Sequence, residues 1–200
     1  MSYRAILFDL GRVLVNFEFE HAYRKLESLC PHAAVEIPKR LAESGLAVQY
    51  ESGLIESPEF VAKLTQILDL NVEYDRFCDL FCSIFTDSLV PDRLVAELAS
   101  RYRLVLLSNT NAIHFEMVRR TYPVLRHFHD FTLSYEVKAM KPNPAIYLDA
   151  VAKAGCKPEE CFYTDDIPAF IAGAKQLGID AVRFENAEQI EREMRARGIL

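Results

Sequence analysis

Three carboxylates, a lysine and a serine stand at or between the ends of short apolar runs, where they could work together. Asp9 closes the run Ala5-Ile6-Leu7-Phe8, and Ser108 with Asn109 closes Leu104-Val105-Leu106-Leu107. Asp165 and Asp166 close Cys161-Phe162-Tyr163-Thr164. Lys141 lies between the second and last of these, in Lys138-Ala139-Met140-Lys141-Pro142-Asn143-Pro144. Asp9 and Asp166 together would bind a hard divalent cation, and Mg²⁺ favours few carboxylates with water and substrate phosphate. Three carboxylates at one place repel unless a cation or a proton resolves them. Ser108 supplies a neutral donor to phosphate oxygens, and Lys141 a point positive charge. A carboxylate nucleophile, a metal and a cation around phosphate describe phosphoryl transfer through an aspartyl-phosphate.

Such a set works only if the chain brings the run ends together. Four apolar residues that stop at a carboxylate and a glycine predict a strand buried on both faces, opening into a tight turn. From Pro91 onward strand and helix patterns alternate. Strands are expected at Leu104–Leu107, Phe131–Ser134, Cys161–Thr164 and Ala181–Phe184, with helices started by Asn143-Pro144 and by Pro168 and stopped by Gly155 and Gly178. That rhythm predicts a parallel sheet covered on both sides, a three-layer α/β core of Rossmann-like type. Parallel strands bring their carboxyl ends to one rim, where open α/β sheets place their ligands. Between Glu18 and Leu89 no strand run is evident, and apolar residues recur at helical spacing after starts such as Ser57-Pro58-Glu59. The expected organisation is a core of residues 1–15 and 91–200 with a helical module of residues 16–90 inserted after the first strand.

Bulk properties narrow the class. Two hundred residues, half of them hydrophobic and 26% charged, make one domain or a core with a modest insertion. A net charge of −6 argues against sequence-independent nucleic-acid binding, which needs a basic face. It leaves a phosphate ligand open, because a cation and one lysine reverse the local field. No apolar stretch approaches transmembrane length and no signal-peptide pattern opens the chain, so no membrane partner is expected and a cytoplasmic location is the default. The five cysteines are scattered and odd in number, which fits reduced thiols rather than a disulfide framework. Oligomeric state is not legible.

The segments Phe8-Asp9-Leu10-Gly11-Arg12-Val13-Leu14, Leu107-Ser108-Asn109, Lys141-Pro142 and Tyr163-Thr164-Asp165-Asp166 resemble the four motifs of the haloacid dehalogenase-like hydrolase superfamily, in order and spacing. The inserted helices resemble that superfamily's helical cap of the type lying between motifs one and two, and Tyr50-Glu51-Ser52-Gly53-Leu54-Ile55 is similar to a segment of such caps. The resemblance implies Asp9 as nucleophile and metal ligand, Ser108 and Asn109 at the transferring phosphoryl group, and Lys141 as the neutralising charge. It implies Asp166 as the main ligand of motif four with Asp165 beside it, and Mg²⁺ as cofactor. The implied activity is hydrolysis of a small phosphorylated metabolite under a mobile cap. Dehalogenation is disfavoured, since dehalogenases of this superfamily usually carry an aromatic residue where this chain has Gly11.

Gly11 departs from the phosphatase pattern. Typical members have a second Asp there, whose carbonyl binds Mg²⁺ and whose carboxyl protonates the leaving group and later activates water. Glycine keeps the first role only, so Gly11 stays on the implied ligand list through its carbonyl. A positioned acid–base group is worth about 10²–10⁴-fold in rate. Members similar to glucose-1-phosphate phosphatases also have Gly at this position, and an anomeric phosphate leaves with less need of a proton. A non-catalytic module that binds a phospholigand or a protein on the same fold is the alternative. The remaining candidates have plainer readings: Arg12 as a solvent-facing turn residue, Asn111 and His114 either lining the site or facing solvent at a helix start, Tyr50 and Glu51 as packing and helix-end residues, and Phe60, Phe77, Phe81 and Phe85 as an apolar core stripe.

Overall fold

The computed structural model describes residues 2–200. Five strands, β1 (Ala5–Phe8), β4 (Arg103–Ser108), β5 (Asp130–Leu133), β6 (Cys161–Asp165) and β7 (Asp180–Arg183), form one parallel sheet in the order β5-β4-β1-β6-β7. β1 is central, with Phe8 level with Leu106 on one side and Thr164 on the other. The period of two along each strand divides the apolar residues between the faces. Ile6, Phe8, Leu104, Leu106 and Phe162 face one layer, built by α6 (Asp92–Ala99), α7 (Ala112–Thr121) and α11 (Ala187–Ala196). Leu7, Val105, Leu107 and Tyr163 face the other, built by α9 (Pro144–Ala154) and α10 (Pro168–Gln176). This explains why the inner strands β1, β4 and β6 are so apolar: neither of their faces meets water, and each buried Leu, Ile or Phe side chain is worth about 1.5–3 kcal/mol.

Between β1 and α6 the chain builds five helices: α1 (Phe19–Glu27), α2 (Ile37–Ser44), α3 (Leu46–Glu51), α4 (Ser57–Leu68) and α5 (Tyr74–Cys82). They close on their own apolar cluster, which includes Leu26, Tyr50, Phe60, Leu64, Leu68, Phe77 and Leu80. The sequence pattern missed the strands that lead in and out. β2 (Val15–Phe17) and β3 (Phe85–Ser88) pair antiparallel as a two-stranded ribbon. They are three and four residues long, and in β3 only Phe85 is other than exposed, so no buried run marks it. Phe85 therefore belongs to this ribbon and packs against the core, while Phe60 and Phe77 are buried among the helices as the stripe suggested.

Three of the contacts between the helical group and the core show how it docks. The Tyr50 phenol accepts the backbone N–H of Ile113 near the start of α7, at 3.1 Å. His114 of α7 stacks on Phe81 of α5, ring centroids 4.0 Å apart, and its Nε2 donates to the Phe81 carbonyl at 3.1 Å. Gly53, at φ +65, lies against the carbonyl of Tyr135 in α8 (Ser134–Val137), with no room for a Cβ. Any side chain at Gly53 would meet both backbone strain and that carbonyl.

Candidate active site

The strand ends converge as the topology requires. Asp9 follows β1 directly, and its N–H extends the ladder to the Thr164 carbonyl at 3.0 Å. From there Leu10 to Val15 make one tight loop: the N–H groups of Leu14 and Val15 both reach the Leu10 carbonyl, and Arg12 takes φ 58. Arg12 is exposed, its guanidinium 4.9 Å from the centre of the Phe17 ring.

Lys141 is the hub. Its ammonium donates to Asp9 Oδ1 at 2.7 Å, Asp165 Oδ2 at 2.6 Å and the Leu107 carbonyl at 3.1 Å. Burial works against its charge, but Asp9 and Asp165 outweigh it and hold the pKa above the usual lysine value. Asp165 is fully buried and also accepts hydrogen bonds from the Tyr163 hydroxyl and the Ile167 N–H. Burial pushes Asp9 up to about 7, with Lys141 pulling the other way and Asp165 adding to the push. Burial and then Asp165 likewise raise Asp166. Lys138 is exposed and makes no ion pair among the described residues, so the lysine at the carboxylates is Lys141.

Neighbouring segments fix the lysine's backbone. Asn109 accepts the Lys141 N–H through Oδ1 at 2.8 Å and donates Nδ2 to the Lys141 carbonyl at 3.2 Å. Ser134 makes a similar exchange with Thr110, accepting its N–H and donating to its carbonyl, both at 3.0 Å. Ser108 is 2% exposed and its hydroxyl has only a long 3.4 Å contact to the Asn109 carbonyl, so it keeps donor capacity to spare.

Asp9, Asp165 and Asp166 each offer an oxygen within 4.8 Å of the others. Lys141 is paired to two of them, and Asp166 has no ion pair among the described residues. Three carboxylates against one lysine leave an excess of negative charge in an all-oxygen donor set. That suits a hard cation of the Mg²⁺ kind.

Beside this cluster opens a cavity of about 360 Å³. Gly11, Ser108, Asn109 and Thr110 line it from the core, and Tyr23, Glu51, Phe77 and Phe81 from the helices. A Cβ on Gly11 would stand 2.7 Å from Cε1 of Phe17, so the ring occupies the start of the path a side chain would take. His114 also lines the cavity, but both its ring nitrogens are engaged: Nδ1 by the Asn111 amide at 3.1 Å, Nε2 by Phe81. Burial lowers its pKa to about 4, so the ring is neutral at physiological pH. Asn111 is 2% exposed and caps α7, accepting the His114 N–H. Neither residue faces solvent, because the five helices cover the start of α7.

Sequence reasoning gave no site role to Tyr163, Phe17 or Glu51, and read Glu51 as a helix-end residue. Tyr163 precedes Asp165 by two on one strand, and that spacing alone puts both on the same face. Phe17 and Glu51 carried no such local signal; they reach the cavity only through the path of β2 and the docking of α3.

The chain belongs to the haloacid dehalogenase-like hydrolase family, whose pattern matches residues 3–178. Its relatives make it a phosphatase-type hydrolase. D-ribitol-5-phosphate phosphatase from Bacteroides thetaiotaomicron is 24% identical over 196 residues, 94% of this chain and 95% of that one. Glyceraldehyde 3-phosphate phosphatase from Methanopyrus kandleri is 36% identical over 69 residues, 34% of this chain and 30% of that one. Among solved structures, the HAD family enzyme bt-2542 from Bacteroides thetaiotaomicron, in complex with magnesium and inorganic phosphate, superposes with a TM-score of 0.83 at 29% identity. The match covers 92% of this chain and 96% of that one. No helix of the described residues is long and apolar enough to cross a membrane.

Proposed function

We propose that the protein hydrolyses a small phosphomonoester in two displacements at Asp9. The observation that carries this reading is the Lys141 ammonium held between Asp9 and Asp165, with Asp166 alongside. One oxygen of Asp9 is engaged by Lys141, and the other attacks phosphorus, expelling the alcohol and forming an aspartyl-phosphate. Water then attacks the same phosphorus and returns Asp9 as a carboxylate. Ser108 and Asn109 bind the phosphoryl oxygens, and Lys141 offsets the charge that the phosphate brings to a carboxylate-rich site. Asp9, Asp165, Asp166 and the Gly11 carbonyl would hold Mg²⁺, which when bound supplies charge neutralisation at the phosphoryl oxygens.

Residues 16–90 serve as a cap on a core of residues 1–15 and 91–200, with β2 and β3 as the two connections. The cap excludes water from the cavity and contacts the organic part of the substrate. The ribitol and glyceraldehyde phosphate relatives support a phosphorylated small metabolite. The bare Gly11 leaves two routes for the departing oxygen. Either the alcohol leaves easily, as from a sugar 1-phosphate, or another residue supplies the proton.

The test is phosphate release from 4-nitrophenyl phosphate, with Mg²⁺ or with chelator, by the wild type and Asp9→Asn. The expected outcome is Mg²⁺-dependent release that falls at least about 10³-fold in a folded Asp9→Asn protein. A folded, Mg²⁺-loaded wild type that releases none from this or other phosphate esters would instead favour a module that binds a phospholigand.

A further inference from the structure

Glu51 is a carboxyl with nothing to pair with. It ends α3, lines the cavity together with Gly11, Ser108 and Asn109, and makes no hydrogen bond or ion pair through its side chain among the described residues. Its neighbours in sequence fix its place. Tyr50 is bonded to Ile113, at the start of the helix that follows Ser108 and Asn109. Ser52 donates to the sulfur of Met140 at 3.1 Å, one residue before Lys141. The cap therefore holds Glu51 between the two core segments that carry the phosphate-binding groups. The charged residues on the elements packed against α3 are Lys39, Arg40 and Glu43 of α2, Glu59 and Lys63 of α4 and Glu136 of α8, with Lys138 after it. None of them pairs with it, and the other titratable cavity groups are Tyr23 and the neutral His114. Burial alone raises the Glu51 pKa, to about 7.

We propose that Glu51 is the general acid and base of this phosphatase, supplied by the cap in place of the side chain that Gly11 lacks. The proposal rests on the phosphatase reading above. In the first displacement Asp9 bonds to phosphorus, the bond from phosphorus to the ester oxygen breaks, and that oxygen takes the proton of the Glu51 carboxyl to leave as an alcohol. In the second, water bonds to phosphorus and gives its proton to the Glu51 carboxylate, while the bond from Asp9 oxygen to phosphorus breaks. Both steps conserve protons, and Glu51 ends as it began. A carboxyl that holds its proton up to about pH 7 against an apolar wall suits the first step, and the phosphate-binding end of the same cavity is where the ester oxygen must lie.

Benzyl phosphate and 4-nitrophenyl phosphate separate this role from a structural one. They are similar in size, but the benzyl alkoxide needs a proton to leave and 4-nitrophenolate does not. Glu51→Gln is expected to lower kcat/KM for benzyl phosphate by about 10²–10⁴-fold and that for 4-nitrophenyl phosphate by far less, while kcat on the latter falls because the variant has no base for hydrolysing the aspartyl-phosphate. Glu51→Asp, which keeps the carboxyl, should recover part of the benzyl phosphate rate. In the wild type, kcat/KM for benzyl phosphate should fall above about pH 7, a limb that Glu51→Gln loses. Equal losses of kcat/KM on both esters, or none on either, would overturn the proposal while Asp9-dependent release from 4-nitrophenyl phosphate kept the phosphatase reading intact. No release from either ester by the wild type would remove both.

Discussion

Gly11 has no side chain, and the Phe17 ring stands 2.7 Å from where one would begin. The backbone at Gly11 is not left-handed, so space rather than conformation keeps the position bare. Gly11→Asp alone should therefore cost about 1–3 kcal/mol, the usual penalty for forcing atoms into an occupied site. Phe17→Ala opens that space, and the double variant should be more stable than the sum of the single effects by about 1–2 kcal/mol. Urea unfolding of the four proteins measures this coupling. Effects that add within about 0.5 kcal/mol would show that the ring is not what excludes a side chain. The contrast with Asp9 shows what a sequence reveals at this scale. Asp9, Ser108 and Asp165 end apolar runs, and a run fixes where its last residue goes. Phe17 meets Gly11 through a turn whose path is set by backbone bonds such as Arg12 N–H to the Val15 carbonyl at 2.8 Å, and no residue type announces that path.

The inner strands β1, β4 and β6 were legible because their apolar runs are buried on both faces, and α9 and α10 because a proline starts each and a glycine stops it. β2 and β3 were not, because a three- or four-residue strand on a ribbon needs no apolar pattern. The docking of α3 was equally hidden, since it depends on Tyr50, Ser52 and Gly53 meeting segments far away in sequence. That docking carries a stability cost with a defined pH dependence. Glu51 ends α3, where the helix's own dipole is negative, and burial raises its pKa from 4.5 to about 7. Between those values the folded state holds a proton that the unfolded chain has lost, so stability falls as pH rises. Below about pH 4.5 both states are protonated and the cost vanishes; above about 7 it is present in full, at about 3 kcal/mol. Glu51→Gln carries no such proton. Its stability advantage over the wild type should therefore grow by that amount between pH 4.5 and 8, measured by chemical denaturation in chelator. An advantage that does not change with pH would mean that the Glu51 carboxyl is solvated rather than held against the apolar wall.

For the molecule as a whole, folding gathers negative charge that the unfolded chain keeps dispersed. Asp9, Asp165 and Asp166 come from opposite ends of the sequence and meet within 4.8 Å, in a protein already at −6. Lys141 pairs with two of them, which leaves the rim short of positive charge. A cation that fills this deficit binds the folded state and has almost no site in the unfolded one, so it must stabilise the fold by linkage. At a Mg²⁺ concentration 100 times Kd the gain is about 2.7 kcal/mol. For a chain of 200 residues that corresponds to a rise in Tm of about 5–11 °C over the value in EDTA. Asp166→Asn gives the sharper comparison. Asp166 has no ion pair to lose, so the variant should melt close to the wild type in EDTA, or slightly above it as like-charge repulsion is relieved. In Mg²⁺ it should lose most of the rise, because one of three oxygen donors has lost its charge. Scanning calorimetry of both proteins in both conditions distinguishes the outcomes. A wild type with the same Tm in Mg²⁺ and EDTA would mean that Lys141 alone neutralises the cluster, and a full rise retained by Asp166→Asn would move the ion away from this rim.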